Sequence, residues 1–310
     1  MDFIGALLIA GLVVIYTLQS LLTRYYSASY PGREELSSPV FTIVSGLLVT
    51  LVTFAFAGFR FEASPITLIL GLCNAIAIVL YNTSLIKASA TGPYSITMVF
   101  LIAGGIIIPA IVAAFFGDDL NIIKIFAILV VLVSVYLIAR KEGEVYQNKK
   151  EFFLSCIGLA IGNGVYGALL DIQQRLTLPE GMEISPEKEE MVIITYLVGV
   201  LISVVILLAR EKKDFLGAMK QSKKSLVFLI SASLVVAFAI NLFVYVLALI
   251  DTTILYTFDN SLVFLLSVAF SCLFMGEKLS KMNVIGCITM CAALVCISLS
   301  SQIMTFFTSL

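Results

Sequence analysis

Asp259 and Asn260 stand side by side in LYTFDNSLVFLL, residues 255–266, inside an otherwise apolar run of bilayer-spanning length. An ionisable group at the middle of a membrane helix costs roughly 2.5–3.5 kcal/mol on insertion scales, so it should face a cavity or a partner. Tyr256 precedes the pair by three and four residues and shares their helix face. A desolvated carboxylate of this kind can exchange a proton, or it can pair with a cationic ligand beside tyrosine rings. The sequence leaves these two chemistries open.

Tyrosine and amide side chains recur at helical spacing in several other apolar runs. They can line a cavity, or they can form the interhelical hydrogen bonds that commonly hold membrane bundles together. The second, fifth and tenth runs carry no comparable group, so we expect them to lie away from a site. The residues predicted to bind a substrate are Asp259, Asn260, Tyr256, Asn82, Tyr81, Asn241, Asn163, Tyr166, Tyr16 and Gln19.

Gly104, Gly105 and Pro109 fall in the middle of the fourth apolar run. Proline lacks the backbone N–H that a helix interior needs, and glycine near it lowers resistance to bending. These residues therefore predict a kink or a local break near mid-depth of the membrane. We expect the region to act as a hinge or to contribute to the binding site, with plain packing as the alternative.

The composition is that of an integral membrane protein. The chain has 310 residues, of which 60% are hydrophobic and 13% charged, and its mean hydropathy is +1.09. Apolar runs of about 20 residues, the length that a helix needs to cross the hydrocarbon core, recur throughout. The ten runs are residues 3–23, 38–57, 66–87, 94–116, 121–139, 152–171, 191–209, 226–248, 253–275 and 282–300. We predict an all-α membrane protein with ten transmembrane helices.

The connections between the runs are short, which weakens most enzyme hypotheses because any chemistry must occur in or beside the membrane. The sequence contains no His, and this excludes imidazole metal sites and His-based catalytic triads. The six Cys lie within the runs without a CxxC spacing, and no phosphate-binding P-loop is present. We expect no enzymatic activity, no metal and no cofactor.

Basic residues are distributed unequally between the connections. The odd-numbered connections hold fifteen Lys and Arg, and the even-numbered ones hold only Arg60, Lys124, Arg175 and Lys188. The positive-inside rule therefore places the odd connections in the cytoplasm and both termini outside. The basic stretch at 210–225 is interpreted as contact with anionic lipid at the cytoplasmic face and not as a nucleic-acid site.

The two halves of the chain are similar to each other. Residues 84–121 align with 248–280 if the first copy has about five extra residues, and the copies share the corners FFGDDLN and FMGEKLS. Each copy holds five runs, and an odd number forces the copies into opposite orientations across the bilayer. We predict two inverted five-helix repeats, over residues 1–145 and 146–310.

Ten runs in two halves, with a Gly-acidic-x-Leu corner after the fourth and ninth runs, resemble the drug/metabolite transporter superfamily, specifically its bacterial EamA-like members. The best local match is the second corner, Gly276, Glu277, Lys278, Leu279 and Ser280. The first corner departs from the family's own residues, with Asp118 and Asp119 in place of Glu-Arg. The resemblance implies carriage of small metabolites by alternating access, through a central cavity lined mainly by spans one, three, four, six, eight and nine.

From these observations we expect a secondary transporter in the cytoplasmic membrane that moves a small polar metabolite of the amino acid or amine type, with protons as a candidate coupling ion. The scarcity of buried Arg and Lys argues against phosphate-bearing cargo. A multidrug or quaternary-cation efflux carrier is one alternative, and a non-transporting scaffold or lipid-handling protein is another. The expected partners are a small-molecule substrate and the lipid bilayer, without nucleic acid, and the oligomeric state is left open.

Overall fold

The computed structural model describes residues 3–92, 94–118, 120–139, 148–182, 184–211, 214–275, 280–300 and 303–304. Within these ranges the chain is helical and has no strand. The helices are α1 (Phe3–Ser29), α2 (Glu34–Phe56), α3 (Pro65–Thr91), α4 (Tyr94–Phe115), α5 (Ile122–Ala139), α6 (Lys149–Leu176), α7 (Lys188–Arg210), α8 (Phe215–Met219), α9 (Lys223–Leu247), α10 (Thr252–Met275) and α11 (Lys281–Ser298). The short helix α8 was not predicted.

Each of the ten predicted runs overlaps one long helix. By length and composition, seven helices in the described ranges can cross a membrane, namely α1, α2, α3, α4, α6, α7 and α9. The described apolar stretches of α5, α10 and α11 are shorter. An all-helical membrane protein is therefore observed, while the count of ten spanning helices stays a prediction.

Local sequence explains where several helices begin. Ser64 accepts a hydrogen bond from the Thr67 N–H, and Pro65 fills the first helical position of α3, where its missing N–H costs nothing. Ser222 caps α9 in the same way, and Ser280 forms a reciprocal capping box with Asn283 at the start of α11. Short polar connections thus alternate with long apolar helices along the chain.

The two halves interlock instead of forming separate bundles. The principal packed pairs are α1 with α9 and α10, α2 with α7 and α9, α3 with α6 and α7, α4 with α6 and α10, and α5 with α11. Exchanging α1 to α5 for α6, α7, α9, α10 and α11, in that order, converts this set of pairs into itself. The packing has the pattern expected of two related five-helix units, whose inverted orientation stays a prediction.

The helix α4 runs without interruption from Tyr94 to Phe115 with Pro109 inside it, so the predicted local break is absent. Gly104 serves close packing at this level: a Cβ there would overlap the backbone of Ala160 in α6. A Cβ at Gly164 would in turn overlap the Gly104 carbonyl oxygen. Glycine on both sides of the crossing lets α4 and α6 approach closely. A hinge at Gly104, Gly105 and Pro109 stays a prediction.

The structure describes the two similar corners of the sequence only in part. Gly117 ends α4 with a positive φ of 88°, a conformation that glycine adopts without strain, and Asp118 follows it. Asp119 and the second corner, Gly276 to Leu279, lie outside the described residues. The predicted equivalence of the two corners therefore stays a prediction.

We call the end of the bundle that carries the even connections, which is predicted to face outside, the outer end, and the opposite end the inner end. At the outer end, Gln173 of α6 donates hydrogen bonds to Thr67 Oγ1 of α3 (3.2 Å) and to the Glu187 carbonyl before α7 (3.1 Å). The backbone N–H of Ser64 donates to Glu187 Oε2 (2.8 Å). Burial opposes ionisation of Glu187, but hydrogen bonds from Thr67 and Ser64 prevail and lower its pKa. The outer ends of α3, α6 and α7 are thus tied together.

Candidate substrate site

An aromatic cluster forms the centre of the bundle. The ring of Phe243 from α9 contacts Tyr16 of α1 and Tyr256 of α10, with centroids 6.2 and 5.3 Å apart. Tyr256 Oη donates to the Gly167 carbonyl of α6 (2.7 Å). A Cβ on Gly167 would lie 2.6 Å from the Tyr256 ring, so the glycine makes room for it. Two of the predicted tyrosines therefore come together from different halves of the chain.

A second tyrosine pair borders the same apolar core. The hydroxyl groups of Tyr166 in α6 and Tyr196 in α7 are 3.2 Å apart and share a hydrogen bond. Tyr196 was not predicted, because it stands alone among aliphatic residues in its run and has no amide neighbour at helical spacing. Its role becomes visible only through a partner on another helix.

Two predicted asparagines converge over Gly105. Asn163 Nδ2 of α6 donates to the Leu101 carbonyl (3.0 Å), and Asn260 Nδ2 of α10 donates to the Tyr256 carbonyl (2.8 Å). A Cβ on Gly105 would lie 2.5 Å from Asn163 Nδ2 and 2.8 Å from Asn260 Oδ1. Pro109 supplies no N–H to the Gly105 carbonyl four residues earlier. Polar groups of α4, α6 and α10 are therefore concentrated at one level.

Asp259 is the ionisable residue beside Asn260 in this region. Its Oδ1 atom is buried and has no hydrogen-bond partner, and the carboxylate forms no ion pair with any residue that the structure describes. Gln19 Oε1 of α1 is likewise buried without a described partner. A buried carboxylate is costly unless it is protonated or meets a cation. This region can therefore accept a proton or a positively charged group.

Two other predicted residues do not join the central cluster. Asn82 Nδ2 of α3 donates to Thr42 Oγ1 (2.9 Å), and Asn241 Nδ2 of α9 donates to Thr53 Oγ1 (2.8 Å). Both acceptors belong to α2, so the second run takes part in interhelical hydrogen bonds although it carries no tyrosine or amide side chain. Thr42 and Thr53 give no signal in the sequence, because threonine is common in membrane helices. Tyr81 is close to α6, since a Cβ on Gly162 would lie 2.7 Å from the Tyr81 backbone nitrogen.

The fifth and tenth runs also take part in interhelical hydrogen bonds. Ser134 of α5 and Thr289 of α11 share a hydrogen bond of 2.8 Å. Asn283 Nδ2 donates to the carbonyls of Leu137 and Ile138, at 3.0 and 2.8 Å. These contacts join α5 to α11 at a distance from the aromatic cluster, and they act as interhelical hydrogen bonds.

A cavity of about 630 Å³ opens at the inner end. The start of α2, the end of α3, the start of α6 and the end of α7 surround it. Hydroxyl groups and charges of both signs line the wall, and the polar lining residues are Glu35, Ser38, Thr42, Thr83, Lys87, Thr91, Glu151, Ser203 and Arg210. A volume of this size falls in the range typical of small-molecule pockets.

Two basic residues that we assigned to connections are in fact part of the packed structure. Lys124 is 2% exposed and pairs with Asp251 (3.0 Å), and Arg175 lies in the last turn of α6 between two carboxylates. Lys124 is therefore a buried cation at the outer end, and Arg175 is partly buried there. The acidic residues of the neighbouring connections are the sequence signal for these ion pairs. Which acidic residue pairs with which cation depends on the fold.

Comparison with known proteins finds a family match in the second half of the chain. Residues 154–299 match the model of the EamA-like transporter family. This segment is similar to that family. The matched segment extends from α6 to α11, and it confirms the resemblance seen in the sequence. The EamA-like family is a transporter family, and seven of the described helices are long and apolar enough to cross a membrane.

The fold of the whole chain has a counterpart among solved structures. A crystal structure of a protein with 13% sequence identity aligns with a TM-score of 0.71 and covers 95% of this chain and 98% of that chain. At this identity, the likeness shows a shared fold alone. No curated protein matches the sequence. The shared fold therefore extends beyond the segment that the family model matches.

Proposed function

We propose that this EamA-like protein is a secondary transporter that moves a small polar metabolite of the amino acid or amine type across the cytoplasmic membrane by alternating access. Its two halves, residues 1–145 and 146–310, are taken as inverted five-helix repeats. Support comes from the exchange of helix pairs between the halves and from the family match over residues 154–299. In repeats of this kind the substrate site lies at the repeat interface near the bilayer midplane.

The observation that carries the proposal is the unpartnered buried oxygen of Asp259. The cost of holding a carboxylate in an apolar setting disappears when an ammonium group or a proton arrives. Tyr256 presents an aromatic ring on the same helix face, and ring faces attract cations. An amino group of the substrate is therefore the group that Asp259 recognises.

The amides above Gly105 supply the rest of the recognition. Asn163 and Asn260 each carry a carbonyl oxygen and an NH₂ group, so they can donate to a carboxylate or accept from a hydroxyl. Because these residues come from α6 and α10, and Gly105 from α4, both halves contribute to the site. A small metabolite with an amino group and a second polar group fits this arrangement.

A proton is the candidate coupling ion. Asp259 in its protonated form would release the amino group, and in its ionised form would hold it, so that proton and substrate compete for one carboxylate. The competition predicts weaker ligand binding at lower pH. No other ion is required by the described side chains.

The test is ligand-induced thermal stabilisation of the purified protein against amino acids, amines and quaternary ammonium compounds at two pH values. Wild type should be stabilised by an amino compound, and Asp259→Asn should lose that stabilisation while folding normally. Ser261→Ala is the matched control, since it removes a buried hydroxyl without a hydrogen-bond partner from the same helix. Stabilisation of Asp259→Asn equal to wild type would reject the assignment. A response to quaternary ammonium alone would favour the efflux carrier.

A further inference from the structure

Arg175 is the centre of a polar network at the outer end. Its Nη1 and Nη2 atoms donate to the two oxygens of Asp118, at 2.8 and 2.7 Å, and its Nε donates to both oxygens of Asp171, at 3.0 and 2.9 Å. Nη2 also donates to Thr252 Oγ1 (3.1 Å), and Thr252 donates to Asp171 Oδ1 (2.7 Å). The guanidinium lies over the Phe116 ring, 5.4 Å from its centroid. Bidentate pairs of this kind are strong and directional.

The network joins the two halves of the chain. Asp118 follows α4 at the corner of the first half, Arg175 and Asp171 belong to α6, and Thr252 begins α10. A second ion pair, Lys124 with Asp251, links α5 to the start of α10 at the same end. Since the carboxylate of Asp171 is almost fully enclosed and the partners are only partly exposed, these contacts close the outer end of the interface between the halves.

Within the described residues, the opposite end of the same bundle holds a cavity. α3, α6 and α7 are tied at the outer end through Gln173 and Glu187, whereas the cavity of about 630 Å³ lies between α2, α3, α6 and α7 at the inner end. Closure at one end and an opening at the other are features of one state of an alternating-access cycle. The structure therefore corresponds to a conformation that opens at the inner end.

The two carboxylates around Arg175 have different positions in this arrangement. Asp171 stands four residues before Arg175 on the same helix, so the two move together. Asp118 stands on the corner after α4, so it separates from Arg175 whenever α4 and α6 part at the outer end. A partly buried guanidinium without a carboxylate partner is costly, and Asp171 keeps Arg175 paired when Asp118 moves away.

We propose that Arg175, Asp118 and Asp171 form an outer gate in which the Arg175–Asp118 contact opens and closes and Asp171 stabilises Arg175 in the open state. This inference rests on the proposed transport by alternating access. It assigns a role to the corner GDDLN, whose first acidic residue, Asp118, is the aspartate that the gate uses. It also predicts different effects for the two aspartates.

The test uses two single cysteines that report on the two ends. Thr83→Cys lies half-exposed in the wall of the inner cavity, and Asn260→Cys lies two helical turns below Thr252 on the same face of α10. Each is added to the full chain, and its labelling by a membrane-impermeant maleimide is measured from the outer side for position 260 and from the inner side for position 83. The parent chain with its native cysteines gives the background.

Asp118→Asn should shift the population toward the outward-open state. Labelling at position 260 should rise on the order of tenfold, because the labelling rate follows the population of the open state, and labelling at position 83 should fall. Asp171→Asn should not raise labelling at position 260, because it removes the partner of the open state. Asp118→Glu keeps the charge and should label like the parent.

A purely structural network gives a different result. If both asparagine variants raise labelling at both positions, or change neither position, the gate is overturned. The reciprocal change is the readout that loss of packing does not produce. Should Asp118→Asn fail to fold, Asp171→Asn and Asp118→Glu still decide, since outward opening in either contradicts the gate.

The two proposals can fail separately. Reciprocal labelling together with no ligand that depends on Asp259 supports the gate and rejects the proposed amino-compound site. Stabilisation by an amino compound together with unchanged labelling supports the site and rejects the gate. Each proposal therefore has its own deciding measurement.

Discussion

Single residues control how much space the central region offers. Gly105 carries no side chain at the place where the Asn163 and Asn260 amides meet, and Gly167 does the same for the Tyr256 ring. The donors and acceptors of the candidate site are thus held against backbone, where their positions are restricted by packing. A side chain at either position would displace a polar group of the candidate site but would not remove that group.

Gly105→Ala should weaken ligand binding on the order of tenfold, since displacing one hydrogen-bonded amide costs about 1 kcal/mol or somewhat more. The new methyl group would meet Asn163 Nδ2 and Asn260 Oδ1. Ligand-induced thermal stabilisation measures the effect. Gly11→Ala is the control, because a Cβ there meets nothing within 4 Å. Unchanged affinity in Gly105→Ala would place the ligand elsewhere.

At the scale of helices, packing and polar contacts have separate places. α4 and α6 cross closely through Gly104 and Gly164, while α2 receives the amides of Asn82 and Asn241 on its threonines. The first contact brings two halves of the chain together, and the second set holds α2 to α3 and α9. The positions of the helices therefore depend on small residues as much as on apolar ones.

Gly104→Ala should destabilise the protein by about 1–3 kcal/mol, the usual cost of overpacking a tight contact. The added Cβ would overlap Ala160 backbone atoms, which cannot rotate away as a side chain can. The measurement is thermal unfolding in detergent. Gly199→Ala serves as the matched control, since its Cβ would meet only Ile78 at an ordinary 3.5 Å. Equal unfolding temperatures for the two variants would contradict the close crossing.

At the scale of the whole molecule, the asymmetry between the two ends is the main feature. The outer end is closed by the contacts of Arg175, Lys124 and Gln173, and the inner end opens into the cavity. Which compartment each end faces follows from the distribution of Lys and Arg and not from the packing. The direction of opening therefore depends on the predicted topology.

The topology is tested with two cysteines in exposed places. Phe61→Cys lies in the connection between α2 and α3, and Lys150→Cys lies at the start of α6. In intact cells an impermeant maleimide should label position 61, and it should label position 150 only after permeabilisation. The reversed pattern would turn the cavity toward the outside and place the Arg175 network in the cytoplasm.

The sequence by itself determined the class of the protein, the approximate places of the long helices and the shared helix face of Tyr256, Asp259 and Asn260. Hydropathy, span length and helical spacing are local properties, so they can be inferred from neighbouring residues. The apolar helices of spanning length confirmed the membrane class, and the family match over residues 154–299 confirmed the family resemblance. The binding role of the predicted residues stays a prediction.

Only the tertiary structure decided which polar residues meet. Tyr196 shares a hydrogen bond with Tyr166, and Asn82 and Asn241 donate to threonines of α2. Arg175 donates to Asp118, which lies 57 positions earlier in the sequence. These partners carry no common local pattern, because a contact between helices depends on how their faces pack and at what depth they cross. The same reason explains why the sequence predicted Asp259 as a site residue but placed Arg175 in a loop.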